Sequence, residues 1–176
     1  MIHLHDKRFV PFISSGEIEF AIQEMARRIT DDHAEETPVF IGVLNGAFMV
    51  VSDLVKHFRG QCEVQFVKVA SYEGTASTGA VQELIGLSSD LSGRSVILVE
   101  DIVDTGATIV ALKAMLKEHN PKHVKIATLF LKPEVYDKDV RLDYVGIRIP
   151  NKFIVGYGLD YDGLGRNLPD VYQLAD

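Results

Sequence analysis

The stretch 95–108, S-V-I-L-V-E-D-I-V-D-T-G-A-T, constrains the fold more than any other part of the chain. Residues 95–99 form a continuous apolar run, and a strand without a polar face must be covered on both sides. The run ends in Glu100 and Asp101, turns at Gly106 and passes into 107–117, where apolar residues recur at helical spacing. The same order appears upstream. Residues 38–44 are a short apolar run ending in Asn45-Gly46, and Phe48, Val51, Leu54, Val55 and Phe58 then recur at helical spacing over 47–58. Ile18, Ile22, Met25, Ala26 and Ile29 predict a helix over 14–29, with Ser15 and Glu17 as cap candidates. Residues 63–70, 124–131 and 142–147 add strand candidates. Parallel neighbours need crossover connections, so strands separated by helices predict an α/β fold with a central parallel sheet.

Composition narrows the setting. A chain of 176 residues, 47% hydrophobic and 24% charged, can bury the core of one globular domain. Cys62 is the single cysteine and has no intrachain partner, and the first residues, with His3, Asp6, Lys7 and Arg8, lack the apolar stretch of a signal peptide. The cytoplasm is therefore the expected compartment. The longest apolar run, 39–51, is interrupted by Asn45 and Gly46 and falls short of the ~20 residues of a spanning helix, so no membrane partner is expected. A net charge of −7 argues against a nucleic-acid partner. A phosphate-bearing ligand must be held by a specific pocket instead.

The segment 99–108 has the parts of such a pocket. In open α/β sheets ligands sit at the carboxyl ends of strands, where the next helix offers unpaired backbone N–H groups to an anion. Asp104, Thr105, Gly106, Ala107 and Thr108 occupy that turn: Gly106 allows close backbone approach, and the hydroxyls of Thr105 and Thr108 can donate to phosphate oxygens. Glu100 and Asp101 suit ribose hydroxyls or a hydrated magnesium ion. In a plainer reading Asp104 or Thr105 caps the helix and the acidic pair is solvated. A nucleoside-triphosphatase reading fails, because Ala80 and Val81 stand where a phosphate loop beginning at Gly74 would need Lys and Ser or Thr.

Val99-Glu100-Asp101-Ile102-Val103-Asp104-Thr105-Gly106-Ala107-Thr108 resembles the phosphoribosyl pyrophosphate motif of type I phosphoribosyltransferases. Leu44-Asn45-Gly46, Ser71-Tyr72, Lys132, Lys152-Phe153-Ile154-Val155-Gly156-Tyr157 and Asp160 follow the hypoxanthine-guanine subgroup in order across nearly the whole chain. The resemblance implies the type I phosphoribosyltransferase fold: a mainly parallel sheet flanked by helices, with a small hood from the terminal segments. One domain over 1–176 is expected, with a core at about 36–149 and a hood from the N-terminal segment and about 150–176.

The implied activity is transfer of the 5-phosphoribosyl group from phosphoribosyl pyrophosphate to N9 of hypoxanthine or guanine. Glu100 and Asp101 would hold the ribose hydroxyls and Mg2+, and 104–108 would wrap the 5-phosphate. Asp104 would manage the proton at purine N7. Leu44, Asn45 and Gly46 match the pyrophosphate loop, where a strained or cis Leu44–Asn45 peptide is expected; many members carry a basic residue in place of Asn45. Lys132 matches the donor to purine O6, Phe153 the stacking aromatic, and Ile154 the place where main-chain groups read the base edge. Asp160 matches an aspartate near a second magnesium and the base, and Arg166 an arginine that contacts pyrophosphate.

Residues 71–79, rich in glycine and small hydroxyl side chains, read as a loop, and Ser71-Tyr72 resemble the start of the catalytic lid that excludes water. His119 and His123 do not suggest a metal helix, because Pro121 lies between them. A homo-oligomer, dimer or tetramer, is implied. Two other functions fit the same pocket: a xanthine-using transferase, and a regulator that senses phosphoribosyl ligands.

Overall fold

A computed structural model describes residues 1–71 and 81–175. In chain order the elements are β1 (Ile2–Leu4), β2 (Lys7–Ile13), α1 (Ser15–Asp32), β3 (Val39–Leu44), α2 (Phe48–His57), β4 (Glu63–Ser71), β5 (Val81–Ile85) and β6 (Ser95–Val103), followed by α3 (Ala107–Lys117), β7 (His123–Leu131), β8 (Tyr144–Arg148), β9 (Ile154–Val155) and β10 (Val171–Leu174). The core sheet has the order β5-β4-β3-β6-β7-β8. Neighbours from β4 to β8 pair in parallel, and β5 pairs antiparallel with β4 at the edge.

Strand side chains alternate between faces, so an all-apolar strand feeds two cores. On one face Phe40, Ile97 and Val99 pack with Ile18, Ile22, Met25 and Ile29 of α1 and with Val51 and Leu54 of α2. On the other, Val39, Ile41, Val96 and Leu98 pack with Ile109, Leu112 and Leu116 of α3. Helix α1 thus joins the core layer, although it lies before the expected core boundary. Its cap is Ser14 rather than Ser15. The Ser14 hydroxyl accepts from the Glu17 N–H while the Glu17 carboxylate accepts from the Ser14 N–H, a reciprocal pair that needs a three-residue spacing. The Ser15 N–H instead donates to Asp170 at 2.7 Å, tying the start of α1 to the segment before β10.

A second sheet of order β1-β2-β10-β9, antiparallel throughout, unites both ends of the chain. Pro11 lies in β2 beyond the reach of β1, which pairs only as far as Phe9, and opposite Tyr172 of β10, where the ladder shifts register, a place that tolerates proline. This hood shares the core on the α1–α2 face, because Ile13, Ile154, Tyr157 and Val171 are buried with the residues of those helices. Among the described residues no helix is long and apolar enough to cross a membrane.

Candidate active site

The chain passes from β3 to β4 on one side, then returns to lay β6 against the other side of β3. A crevice forms at such a reversal, outside the carboxyl ends of the strands. Here β3 and β6 stop pairing after Gly42 and Val99, while β6 runs on beside β7 to Val103. The parting strands open a cavity of about 310 Å³ lined by Leu44 at the end of β3, by Gly46 just beyond it and by Glu100 through Thr108 after the last shared pair.

Strand β6 continues through the acidic pair; Glu100 pairs with Thr128 of β7, and the Asp101 carboxylate lies against Gly46 in the turn after β3. Glu100 is only 6% exposed. Burial, and then the neighbouring Asp101 charge, lift its carboxyl well above the usual range. Burial, helped by the like charge of Asp160, pushes Asp101 up to about 6, against the Ile102 N–H that donates to its Oδ1 and the positive charge of Arg166. Two carboxyls withdrawn from water in one crevice fit a divalent cation held by hard oxygen ligands, which would allow both to ionise.

The turn after β3 contains the cis Leu44–Asn45 peptide that the motif resemblance implies. Asn45 is exposed and Gly46 buried. A methyl group on Gly46 would lie 1.6 Å from Asp101 Oδ2, so only glycine lets this turn back onto the acidic pair. Helix α3 begins at Gly106, whose φ of 83° is left-handed, with no side-chain cap and no acidic residue in its first turn. Neither Asp104 nor Thr105 therefore caps it; Thr105 Oγ1 makes only a 3.5 Å contact with the Ala107 N–H. The first turn of α3 lines the cavity without a side-chain cap, an arrangement suited to an anion, with Thr105 and Thr108 exposed beside it.

Lys132, the first residue after β7, is 8% exposed and reaches Asp104 Oδ2 at 2.9 Å. Its own N–H is held by the Val103 carbonyl at 3.0 Å, which fixes the lysine beside the turn. Phe153 is 47% exposed, with its ring supported by Phe9 and, edge-on, by Tyr161 at 5.9 Å. One face of an aromatic ring is left open on a rigid base. Ile154 is buried in β9, where its side chain packs in the core. Arg166 spans Asp160 Oδ1 and the Gly158 carbonyl, both at 2.7 Å, and the Gly163 N–H donates to the second Asp160 oxygen at 2.7 Å. The glycine-rich segment 162–165 therefore anchors this pair. Ser71 is the last residue of β4, and Tyr72 lies outside the described residues.

The site also depends on residues the sequence reading did not single out. Gly158 packs directly against the Gly46 carbonyl, so the hood's return segment backs the turn after β3. Tyr157 donates its hydroxyl to Asp53 of α2 and holds the hood on the core. Tyr136 and Lys138 close around Gly106. Apart from Tyr157, which closes the 152–157 motif, none of these carries a local signal, because each matters through a neighbour distant in sequence.

Comparisons with known proteins agree with this geometry. The family model described as the phosphoribosyl transferase domain matches residues 14–162. A hypoxanthine-guanine phosphoribosyltransferase of Streptococcus pneumoniae is 42% identical over 165 residues, covering 93% of this chain and 92% of that protein. Its counterpart in Streptococcus thermophilus is 43% identical over 164 residues, covering 93% and 91%. Among solved structures, a hypoxanthine-guanine phosphoribosyltransferase of Bacillus anthracis, with HEPES in its active site, superposes with a TM-score of 0.91 at 36% identity, over 97% of this chain and all (100%) of that one. A hypoxanthine phosphoribosyltransferase of Staphylococcus aureus gives 0.90 at 35% identity, over 97% and 92%. A crevice at the β3–β6 reversal, an uncapped helix start beside two buried acids, and similarity along nearly the whole chain place this protein in the phosphoribosyl transferase domain family, among the hypoxanthine-guanine phosphoribosyltransferases.

Proposed function

We propose that this protein is a purine salvage enzyme that transfers the 5-phosphoribosyl group of phosphoribosyl pyrophosphate to N9 of hypoxanthine or guanine, giving the nucleoside monophosphate and pyrophosphate. The observation that carries the reading is the Lys132–Asp104 pair, 2.9 Å apart, beside the uncapped start of α3. A 6-oxopurine presents O6 and N7 side by side on one edge. An ammonium, which only donates, suits O6 and rejects the amino group of adenine. The neighbouring carboxylate faces N7 and takes or returns the imidazole proton as the C1–N9 bond forms. Phe153 stacks on the base with its open face, and Ile154 lies where main-chain groups reach the base edge.

The first turn of α3, with Thr105, Gly106, Ala107 and Thr108, binds the 5-phosphate through N–H and hydroxyl donors. Glu100 and Asp101 receive the ribose hydroxyls and, with Asp160, are the residues that would hold Mg2+. That ion, when bound, offsets charge on the pyrophosphate as it leaves. Backbone groups at Leu44, Asn45 and Gly46 bind the leaving group, and Arg166 adds its charge nearby. Most of the acceleration then comes from positioning and fixed dipoles. We place the enzyme in the cytoplasm as a dimer or tetramer, an assembly that light scattering after gel filtration would measure.

The deciding experiment mixes protein, magnesium and phosphoribosyl pyrophosphate with hypoxanthine, guanine, xanthine or adenine and follows nucleotide by absorbance. Turnover with hypoxanthine or guanine, and none with adenine, is expected. Absence of product with every base would leave a ligand-sensing protein instead.

A further inference from the structure

The opposite end of the core sheet, where its strands begin, carries a second cluster of metal-ligating groups. His33 closes the C-terminal end of α1, Glu36 lies in the connection to β3, and His123 opens β7. Their ligand atoms all lie within 4.8 Å of one another. His33 Nδ1 is 2.8 Å from Glu36 Oε2, and His123 Nε2 is 3.8 Å from the same oxygen. We propose that His33, Glu36 and His123 form a binding site for one divalent transition-metal cation of the zinc class, remote from the magnesium-type carboxylates of the active site.

Three features carry the assignment. Ligands about 2.0–2.1 Å from a tetrahedral zinc stand about 3.4 Å apart, and the distances here bracket that edge, so small side-chain shifts complete the site. His123 Nε2 is buried yet has no hydrogen-bond partner among the described residues. A ring nitrogen in that position is costly unless something takes up its lone pair. The remaining atoms of the cluster are already oriented. His33 Nε2 lies 3.5 Å from the Tyr144 hydroxyl, whose proton goes to Asp32 at 2.6 Å. An Nε2–H directed at that oxygen leaves Nδ1 free for a cation, the arrangement that fixes a ligating imidazole. Ser95 donates to the Glu36 carboxylate at 2.6 Å, and the exposed Lys122 side chain approaches its other oxygen and can swing into water.

Two imidazoles select zinc, cobalt, nickel or copper over magnesium, whereas the Glu100–Asp101 crevice offers only oxygen. With three protein ligands the fourth position belongs to water. A bound ion would clip the end of α1 to the start of β7 and to the connection that leads into β3.

The test uses the full-length protein stripped of metal by a chelator and dialysed. Titration with Co2+ is expected to give the visible bands of a tetrahedral nitrogen and oxygen site at one ion per chain. Zn2+ should erase the bands and a large excess of Mg2+ should not. His123→Asn, at a side chain that makes no hydrogen bond among the described residues, should abolish the bands and weaken zinc binding at least 50-fold, with an unchanged melting temperature without metal. Glu36→Gln, nearly isosteric, should weaken binding at least tenfold and serves if the first variant misfolds. Glu100→Gln should leave the bands intact. Absence of tetrahedral bands, binding that survives both cluster substitutions, or binding lost in Glu100→Gln would overturn the proposal.

Discussion

Gly46 and Asp104 state the residue-scale requirements most sharply. A Cβ at position 46 would collide with the Asp101 carboxylate, so Gly46→Ala must displace either the turn after β3 or the acid. A displacement of about 1 Å at a reacting site costs on the order of 100-fold, and Gly46→Ala should lower kcat/KM for nucleotide formation at least that much while circular dichroism stays unchanged. Asp104 is exposed at the cavity, with Lys132 as its ion-pair partner. Asp104→Asn keeps the shape and removes the proposed proton acceptor; kcat should fall by about 100- to 10,000-fold, with binding of phosphoribosyl pyrophosphate, measured by calorimetry, nearly unchanged. Both positions were marked by sequence, because a glycine after a strand and an acid before a helix are local signals. The contacts that make them essential were not. Nothing in the sequence places Gly158 against Gly46 or Phe9 beneath Phe153.

At the scale of elements, legibility followed the range of the interactions. The periodicity of α1, α2 and α3 and the apolar runs of β3, β6 and β7 were visible because each is buried by its own repeating pattern. Strands β1, β2, β9 and β10 escaped notice. They are short, β2 contains Pro11, and β2 meets β10 across most of the chain's length. The first turn of α1 offers a direct check. Ser14→Ala removes the hydroxyl that accepts from the Glu17 N–H, and urea unfolding should report a loss of about 1 kcal/mol. The bond between α2 and the hood has a pH signature. Burial alone would raise the Asp53 carboxyl, but hydrogen bonds from Lys56 and Tyr157 outweigh it and hold the group below its ordinary value. A depressed folded-state value stabilises above the unfolded carboxyl value and is lost as pH falls through the folded one. Below about pH 4, therefore, wild type should lose a stabilising contribution that Asp53→Asn never had, and the difference between their urea midpoints should narrow on acidification.

For the whole molecule, the two sheets divide the labour. In the proposed site the core sheet supplies the acidic pair and the uncapped helix start, while the hood segment supplies Phe153, Asp160 and Arg166. Chelation in excess should abolish turnover, and added magnesium should restore it, because desolvation raises both the buried Glu100 and the half-buried Asp101 and a cation would favour their charged forms. The order of the hood strands adds a consequence for the protein's birth on the ribosome. Strand β10 lies between β2 and β9, so the hood has no continuous ladder until residues 171–174 have been made. Every strand of the core sheet is synthesised before residue 149. The nascent chain can therefore assemble the core-sheet half of the proposed site well before the hood half, and the ring of Phe153 waits for the last strand to slot into the middle of its sheet.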